Sequence, residues 1–438
     1  MAVAIGCDIQ AVLNEGGGLW IFGAAARTTL QLPACGAACL GGADAKTHPF
    51  ANEALATVSA ASGFACCTTD SGAVWVWGHN SRGQLGLGHD AEQARFARWH
   101  PAACGAAVAA VACGNDFLLA LTQTGQVWSC GAGDCGQLGH GTLDDRRSPT
   151  LVAALGHIAF VAAAENSAAG VGADGRVWTW GQKIQVALHD DGDIYPTPQC
   201  LGAEAFGGRR AVLVAVGATH SAAVTQDGAL WTWGSGCCGQ LGHGDDDSQP
   251  APARVLTGLQ GLRVWTVSCG PEHTLVVTED GGVSAMGRNA QGCLGFAADG
   301  DCVVATRIDP AAFGGARMVS VTAGAACSTA VCEDGCLYGW GDDVLGLLPP
   351  GTEARAGVCA RAAVTDLPGG RVGRAARLPR GHALAFAMGS HKSMPSPLPV
   401  PPEIVQKITR LCAIPHGGYS ALAEGMRRLV LADPAGGR

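Results

Sequence analysis

The sequence predicts an all-β fold, a seven-bladed β-propeller built from one repeated unit of about 53 residues. Three marks recur in a fixed order in most units: an Asp-Gly turn, a short strand closed by a large side chain and glycine, and a Gly-Gln-Leu-Gly loop. Successive glycines of the closing dipeptide are 55, 53, 50, 53, 53 and 54 residues apart. The dipeptides are Phe22-Gly23, Trp77-Gly78, Cys130-Gly131, Trp180-Gly181, Trp233-Gly234, Met286-Gly287 and Trp340-Gly341.

The unit over residues 212–255 shows how each strand is predicted. Residues 212–216 are a short apolar run of the kind found in buried strands. Gly228 closes an Asp-Gly hairpin turn, because glycine tolerates the positive φ that such turns require. The strand after the turn places Trp231 and Trp233 on one face, since side chains alternate along a strand. Three or four such strands cannot bury both faces alone, so the units are expected to pack around an axis.

These marks resemble the regulator-of-chromosome-condensation repeat family over about residues 2–388. The resemblance implies a seven-bladed propeller in which the two chain ends combine to close the ring. The first unit lacks the Gly-Gln-Leu-Gly loop, the fourth has residues 185–188 in its place, and the seventh keeps only Leu345-Gly-Leu347. A partial further copy at 381–386 is expected to supply a closing strand and leaves an eight-bladed ring as an alternative.

Three segments are predicted along the chain. Residues 1–388 form the propeller, and residues 389–402 form a Pro-rich spacer, which should be extended. Residues 403–438 are expected to form a short α-helical tail, because apolar side chains recur there at helical spacing. The tail helices either cap the propeller or dock another protein.

Charge and composition restrict the class of protein. Residues 351–438 contain 12 Lys and Arg against 5 Asp and Glu, whereas residues 1–350 contain 16 against 31. An acidic body argues against direct DNA binding by the whole chain. The sequence shows no secretory signal and no apolar run long enough to span a membrane, so the 20 cysteines are expected to be reduced in a cytoplasmic or nuclear protein.

No catalytic, cofactor-binding or metal site is predicted, and the chain is expected not to be an enzyme. Phosphate-binding loops, nucleophile elbows and zincin motifs are absent from the sequence. Two groups combine cysteine with a following histidine, ending at His140 and His243, but neither has the paired spacing of a zinc site. His220 and His273 share one repeat position with His382 and are interpreted as structural hydrogen-bonding residues within their blades.

Two surfaces are candidates for partner binding. Acidic residues follow the Gly-Gln-Leu-Gly loops and form a rim that suits a basic partner; those selected are Asp245, Asp246 and Asp247. The second candidate is a basic segment near the end of the predicted propeller, which comprises Arg371, Arg374, Arg377, Arg380 and His382. Glycine and proline within this segment favour a loop or strand edge over a helix.

The function predicted from these features is a non-enzymatic scaffold whose propeller faces bind other proteins, either a single partner or the members of a larger assembly. The family resemblance adds two alternatives: nucleotide exchange on a Ran-like small GTPase, and substrate adaptation for a ubiquitin ligase. The sequence lacks a recognisable wedge insertion and a basic N-terminal tail, which weighs against the first alternative. Reception of ultraviolet light, known in plant relatives, is disfavoured because tryptophan is missing from the Gly-x-x-His segments.

Overall fold

The fold is known from a computed structural model. It describes residues 53, 55–100, 103–182, 194–297 and 300–341 with their side chains. Five further strands, at 2–5, 10–13, 19–22, 38–40 and 360–362, are described as backbone only. None of the described residues forms a helix long and apolar enough to cross a membrane.

The described strands form four-stranded antiparallel sheets, each from one continuous stretch of chain. The N-terminal sheet consists of β1 Ala2–Ile5, β2 Gln10–Leu13, β3 Leu19–Phe22 and β4 Ala38–Leu40. Blade I consists of β5 Leu55–Ala60, β6 Phe64–Thr69, β7 Val74–Gly78 and β8 Gln93–Arg98. Blade II consists of β9 Val108–Cys113, β10 Phe117–Thr122, β11 Val127–Gly131 and β12 Arg146–Leu151. Blade III consists of β13 Ile158–Ala164, β14 Ser167–Gly172, β15 Val177–Gln182 and β16 Ile194–Leu201.

The remaining three blades repeat this arrangement. Blade IV consists of β17 Ala211–Val216, β18 His220–Thr225, β19 Leu230–Gly234 and β20 Gln249–Arg254. Blade V consists of β21 Val264–Cys269, β22 His273–Thr278, β23 Val283–Gly287 and β24 Cys302–Arg307. Blade VI consists of β25 Met318–Ala323, β26 Cys327–Cys332, β27 Leu337–Gly341 and β28 Ala360–Ala362. The four strands of a blade are called a to d in chain order.

The blades surround an axis, with strand a innermost. Neighbouring a strands lie beside one another from β5 through to β25, and β1 lies beside both β5 and β25. Strand b is buried along its whole length in blades I to VI, because both faces of each sheet pack against the adjacent blades. The largest side chains of this inter-blade core are fully buried and include Trp77, Trp180 and Trp233.

The structure corrects the predicted fold, a seven-bladed propeller with a helical tail. It describes an all-β propeller of six blades, I to VI, adjoined by the N-terminal sheet, for which only the backbone is described. No sheet in the described residues combines the two chain ends, because each sheet folds from one contiguous segment. The described residues contain no α-helix, only 3-10 turns at Ala203–Phe206, Ala290–Gly292 and Pro310–Phe313. The predicted spacer, tail helices and closing strand at 381–386 lie outside the described residues.

A recurring arginine ties successive blades together below the hairpin turns. Arg210, Arg263 and Arg317 precede strand a of blades IV, V and VI. Each donates from Nη2 to a backbone carbonyl in the preceding blade's b–c turn, at 2.9, 3.0 and 2.9 Å respectively. The turn glycine beneath each side chain has a positive φ, as at Gly228 (φ 78°), where a Cβ would lie 2.7 Å from the Cβ of Arg263. The predicted Asp-Gly turns therefore also make room for the next blade's arginine.

Candidate protein-interaction surface

The antiparallel order of the strands gives the propeller two different faces. The a–b turns and the long c–d loops lie at one end of the strands, here called the loop face. The b–c turns and the d–a connections lie at the other end, here called the hairpin face. The candidate acids Asp245, Asp246 and Asp247 are in the c–d loop of blade IV, and so belong to the loop face.

The Gly-Gln-Leu-Gly motif anchors the c–d loop to the core in blades I, II and IV. Its glutamine is buried in blades I, II and IV, and its side-chain Oε1 accepts a hydrogen bond from the backbone two residues earlier. The leucine that follows is buried as well, as Leu85, Leu138 and Leu241. Because buried contacts hold the motif in place, the exposed loop residues that follow it begin from a fixed position on the loop face.

Ion pairs cross the rim between blades I and II. Arg82 in the loop of blade I donates from Nε to Asp145 (2.7 Å) and from Nη2 to Asp134 (3.0 Å), both in blade II. The hydrogen bonds from Arg82 hold the pKa of Asp145 below its ordinary value. In the opposite direction, Nη2 of Arg147 in blade II lies 2.8 Å from Oδ2 of Asp90 in blade I. Three acidic and two basic side chains thus form ion pairs across this boundary.

The same positions at the boundary between blades IV and V have lost their cations. The register is fixed by one backbone bond: Gly88 donates to the carbonyl of Arg147, and Gly244 donates in the same way to Val303. Val303 therefore replaces Arg147. Cys238, which also precedes the glycine of its motif, replaces Arg82.

The acids at this boundary remain exposed. Asp245, Asp246 and Asp247 follow Gly244, and Asp301 lies just before strand d of blade V. Within the part of the chain that the structure describes, none of the four forms an ion pair. The name "acidic surface" is used below for Asp245, Asp246, Asp247 and Asp301.

Two cysteines lie on the edge of the acidic surface. The Sγ atoms of Cys237 and Cys238 are 3.8 Å apart, and burial together with Cys237, Glu272 and Asp301 raises the pKa of Cys238 to about 11. Nε2 of His243 lies 3.0 Å from the hydroxyl of Thr232, within hydrogen-bonding distance. Among the described residues, no group of three or more His, Cys, Asp or Glu side chains is placed to hold a metal ion.

The buried histidines bridge blades instead of acting within one. His220 Nε2 lies 2.7 Å from the hydroxyl of Thr274 in the next blade, and His273 Nε2 lies 3.0 Å from that of Ser328. Burial lowers the pKa of His220 to about 3 and that of His273 to about 4, so both rings are neutral at physiological pH. The interpretation as structural hydrogen-bonding residues within a blade was wrong about the partner, which belongs to the neighbouring blade.

The predicted site residues fall into two groups. Asp245, Asp246 and Asp247 are exposed on the loop face. The basic segment of Arg371, Arg374, Arg377, Arg380 and His382 lies outside the described residues. Sequence reasoning missed the ion-paired set around Arg82; a comparison of the c–d loops in register would have revealed it, because Arg82 occurs where blades II and IV have cysteine.

Comparison with known proteins places the chain in a family. The family model of the RCC1-like domain matches residues 34–367, where RCC1 abbreviates regulator of chromosome condensation. The chain is 36% identical to the ultraviolet-B receptor UVR8 of Arabidopsis thaliana over 273 residues, which cover 61% of this chain and 60% of the receptor. It is 34% identical to human E3 ubiquitin-protein ligase HERC2 over 279 residues, covering 62% of this chain but 6% of the ligase.

Another relative aligns along most of its length. The bovine secretion-regulating guanine nucleotide exchange factor is 30% identical over 377 residues, which cover 78% of this chain and 79% of that protein. Of solved structures, human WBSCR16 aligns with a TM-score of 0.66 at 25% identity, covering 76% of this chain and 87% of that one. Yeast RCC1 (Prp20) aligns with a TM-score of 0.65 at 20% identity, covering 74% and 78%, and shows the fold alone. The chain belongs to the RCC1-like domain family of β-propellers.

Proposed function

We propose that this propeller is a non-enzymatic scaffold that binds a basic segment of another protein on its acidic surface. One observation supports the proposal: the four acids at the boundary between blades IV and V are exposed without ion pairs in the described residues, whereas the counterparts of Asp246 and Asp301 between blades I and II are ion-paired. These counterparts are Asp90, which pairs with Arg147, and Asp145, which pairs with Arg82. Complementary charge at an interface accelerates association and selects the partner. A lysine- or arginine-rich segment would supply the cations that Arg82 and Arg147 supply at the other boundary.

Affinity capture with charge-matched variants tests this function. The variant Asp245→Asn, Asp246→Asn, Asp247→Asn removes three charges from the loop face. The control removes three charges from the hairpin face, at Asp70, Asp174 and Asp334. Tagged full-length proteins would be used to capture partners from a cell lysate, which mass spectrometry then identifies and binding assays quantify.

The loop-face variant should weaken the captured partner's affinity about tenfold, roughly 1.4 kcal/mol, and reduce the salt dependence of binding. The hairpin-face control should bind like the parent. Equal loss in both variants, or in neither, would contradict the proposal. Recovery of a cullin or a Skp1-type protein would direct the scaffold to the ubiquitin-ligase adaptor role.

The basic segment of Arg371, Arg374, Arg377, Arg380 and His382 is proposed as a second contact, for a partner of acidic surface. Its support is the sequence alone: the four arginines recur at three-residue spacing in an end of the chain that is basic overall. Changing all four arginines to glutamate should abolish capture of that partner. Unchanged capture would remove the segment from the interface.

Guanine-nucleotide exchange is the second candidate function. Its support is the similarity to the secretion-regulating exchange factor, which extends over more than three quarters of both chains. The assay is release of a fluorescent GDP analogue from purified small GTPases, with a Ran-like GTPase first. Acceleration of release by tenfold or more at micromolar propeller would favour this candidate, and no acceleration across the panel would exclude it for those GTPases.

Light reception is not extended to this chain from UVR8. The a–b turns of blades I to VI contain no tryptophan. Trp77, Trp180 and Trp233 are fully buried at the ends of their c strands, where they fill the inter-blade core. Their position is explained by packing.

A further inference from the structure

Cys237 and Cys238 occupy the corner of a tight turn in the c–d loop of blade IV. The turn runs from Gly236 to Gly239 and is closed by a backbone hydrogen bond of 2.6 Å, which Gly239 donates to the carbonyl of Gly236. The two cysteines are its central residues, and their Sγ atoms lie 3.8 Å apart. Cys237 is exposed and Cys238 is half-buried, so a dissolved molecule can reach both thiols from the loop face.

Hydrogen bonds hold this turn in place. The side-chain Oε1 of the fully buried Gln240 accepts from the backbone nitrogen of Cys238 at 2.9 Å. The hydroxyl of Ser235 donates to Sγ of Cys237 at 3.3 Å. The backbone that carries the two thiols is thus fixed before any ligand arrives, which lowers the entropic cost of binding a ligand to both.

The same turn recurs in other blades without a second cysteine. In blades I, II and V, the glycine that ends the turn makes the same backbone hydrogen bond, at 2.9, 2.8 and 3.1 Å. The central pairs of these turns are Ser81-Arg82, Asp134-Cys135 and Ala290-Gln291. Among the c–d loops that the structure describes, only that of blade IV therefore presents two thiols from one turn.

Two thiols satisfy a different chemistry from that of a zinc site. Structural zinc takes four protein ligands, and the described residues contain no group of three or more His, Cys, Asp or Glu side chains placed to hold a metal ion. An organic compound of trivalent arsenic needs only two sulfur atoms, because its carbon substituent supplies the third bond. A pair of neighbouring thiols therefore meets its whole requirement.

We propose that Cys237 and Cys238 form a dithiol site that chelates trivalent organoarsenicals. With an arylarsine oxide, each thiol forms one As–S bond and gives its proton to the oxide oxygen, which leaves as water. Arsenic stays trivalent, so the step needs no oxidant or reductant. Burial and the nearby acids raise the pKa of Cys238 to about 11, so this thiol is protonated at neutral pH and suits a ligand that itself takes up the thiol protons.

The dithiol site adjoins the acidic surface but does not depend on a partner bound there. Uptake of the arsenical is measured on the protein alone, so failure of either proposal leaves the other standing.

The test uses phenylarsine oxide as the probe and the full-length protein, reduced with a phosphine so that no competing thiol is present. Adducts are located by proteolytic digestion and mass spectrometry and are then challenged with 2-mercaptoethanol. Release of the chelate should need at least about 100-fold more of this monothiol than release of an adduct on one cysteine, because the second As–S bond forms within the same molecule. The dithiol 2,3-dimercaptopropanol should remove both kinds of adduct.

Serine variants identify the two thiols. Cys237→Ser and Cys238→Ser should each lose the monothiol-resistant adduct on this turn. Cys200→Ser, at an exposed cysteine in strand d of blade III, is the matched control and should bind like the parent. Asp134→Cys places a second cysteine beside Cys135 in the turn of blade II and should create a second monothiol-resistant adduct.

Cys66 and Cys113 provide a comparison within the same protein. Their Sγ atoms are closer together, at 3.3 Å, but both residues are buried between blades I and II. They should stay unmodified in the folded protein and react only after unfolding in urea.

Four results would each overturn the proposal. One is the absence of an adduct on Cys237 and Cys238, and another is an adduct there that 2-mercaptoethanol removes as readily as one on a single cysteine. The others are a resistant adduct on this turn that persists in Cys237→Ser, and no gain of a resistant adduct in Asp134→Cys.

Discussion

Between blades I and II the buried layer is apolar and the rim is ion-paired, whereas between blades IV and V the buried layer contains a histidine and the rim acids have no ion pair in the described residues. Phe64 and Leu118 share one core cluster at the first boundary. His220 and Thr274 occupy the corresponding strand positions at the second. The backbone is therefore the same at both boundaries, whereas the side chains that meet between the blades differ.

The comparison separates two kinds of position within one repeat: buried positions that hold the blades together, and rim positions that are available to a partner. A histidine facing a hydroxyl replaces an apolar pair at these strand positions: Nε2 of His220 is paired with the hydroxyl of Thr274, whereas its Nδ1 is buried with no hydrogen-bond partner in the described residues. At the rim between blades IV and V, by contrast, the missing counterparts of Arg82 and Arg147 are not replaced by other cationic side chains at the same positions. Unneutralised acids lower stability slightly through mutual repulsion, so their presence is better explained by a partner than by packing.

Acidification should have the largest effect, because it lowers the free energy of unfolding through the buried histidines between blades IV and V and between blades V and VI. The folded-state pKa values of His220 and His273 lie below the ordinary value of about 6.5, so the unfolded chain binds more protons below that pH. Each ring should remove about 1.4 kcal/mol from the free energy of unfolding per pH unit as pH falls from 6.5 towards 4. Urea unfolding midpoints across this range measure the effect.

The double variant His220→Phe, Thr274→Leu copies the pair found between blades I and II. It should flatten this pH dependence by roughly the contribution of one histidine, about 1.4 kcal/mol per pH unit. A parent protein whose unfolding midpoint is constant from pH 6.5 to 4.5 would show that these rings do not set the acid response.

Truncation of the apolar pair should have the next largest effect. Phe64 is fully buried in its core cluster, so Phe64→Ala removes a ring and leaves a cavity. We expect a loss of about 3–5 kcal/mol, by analogy with other large-to-small core substitutions. Urea unfolding at pH 7 measures it, and a loss below about 1.5 kcal/mol would mean that the site can collapse around the missing ring.

Removal of one hydroxyl should have a smaller effect at the polar boundary. Thr274→Val keeps the shape of the side chain but leaves Nε2 of His220 buried without its partner, which should cost about 1–3 kcal/mol. Thr274→Ser restores the hydroxyl and should recover most of this loss. Equal destabilisation by valine and serine would indicate that packing of the methyl group matters more than the hydrogen bond.

Substitution at the rim should change stability least. Arg82→Cys copies the residue of blade IV, and because the side chains of Arg82 and its partners are partly exposed, the loss should be below about 1 kcal/mol. The same change frees Asp134 and Asp145, so a lysine-rich peptide should bind the variant more tightly than the parent at low salt. No gain in peptide binding would contradict the link drawn here between missing cations and partner recognition.

The repeat spacing was sufficient to predict an all-β propeller and the positions of its turns. The Asp-Gly turn at Gly228 and the strand carrying Trp231 and Trp233 are local features, determined by residues close in sequence. The exposure of Asp245, Asp246 and Asp247 could also be predicted, because aspartate side chains are almost never fully buried without a paired cation.

Contacts between blades were not predicted, because their partners are one repeat apart. His220 and Thr274 are 54 residues apart, and His273 and Ser328 are 55 apart. A search for complementary side chains at one-repeat separation would have found both pairs.

Each sheet of the described residues folds from one unbroken segment of chain. A gene that gains or loses one repeat therefore gains or loses one whole blade, and no neighbouring sheet is left with an orphaned strand. A chain opened between two blades and rejoined elsewhere would keep every strand pairing described here. One sequence repeat and one hydrogen-bonded sheet therefore correspond to each other. Because of this, the side chains at one boundary between blades can change while the strand pairings of the other blades stay intact.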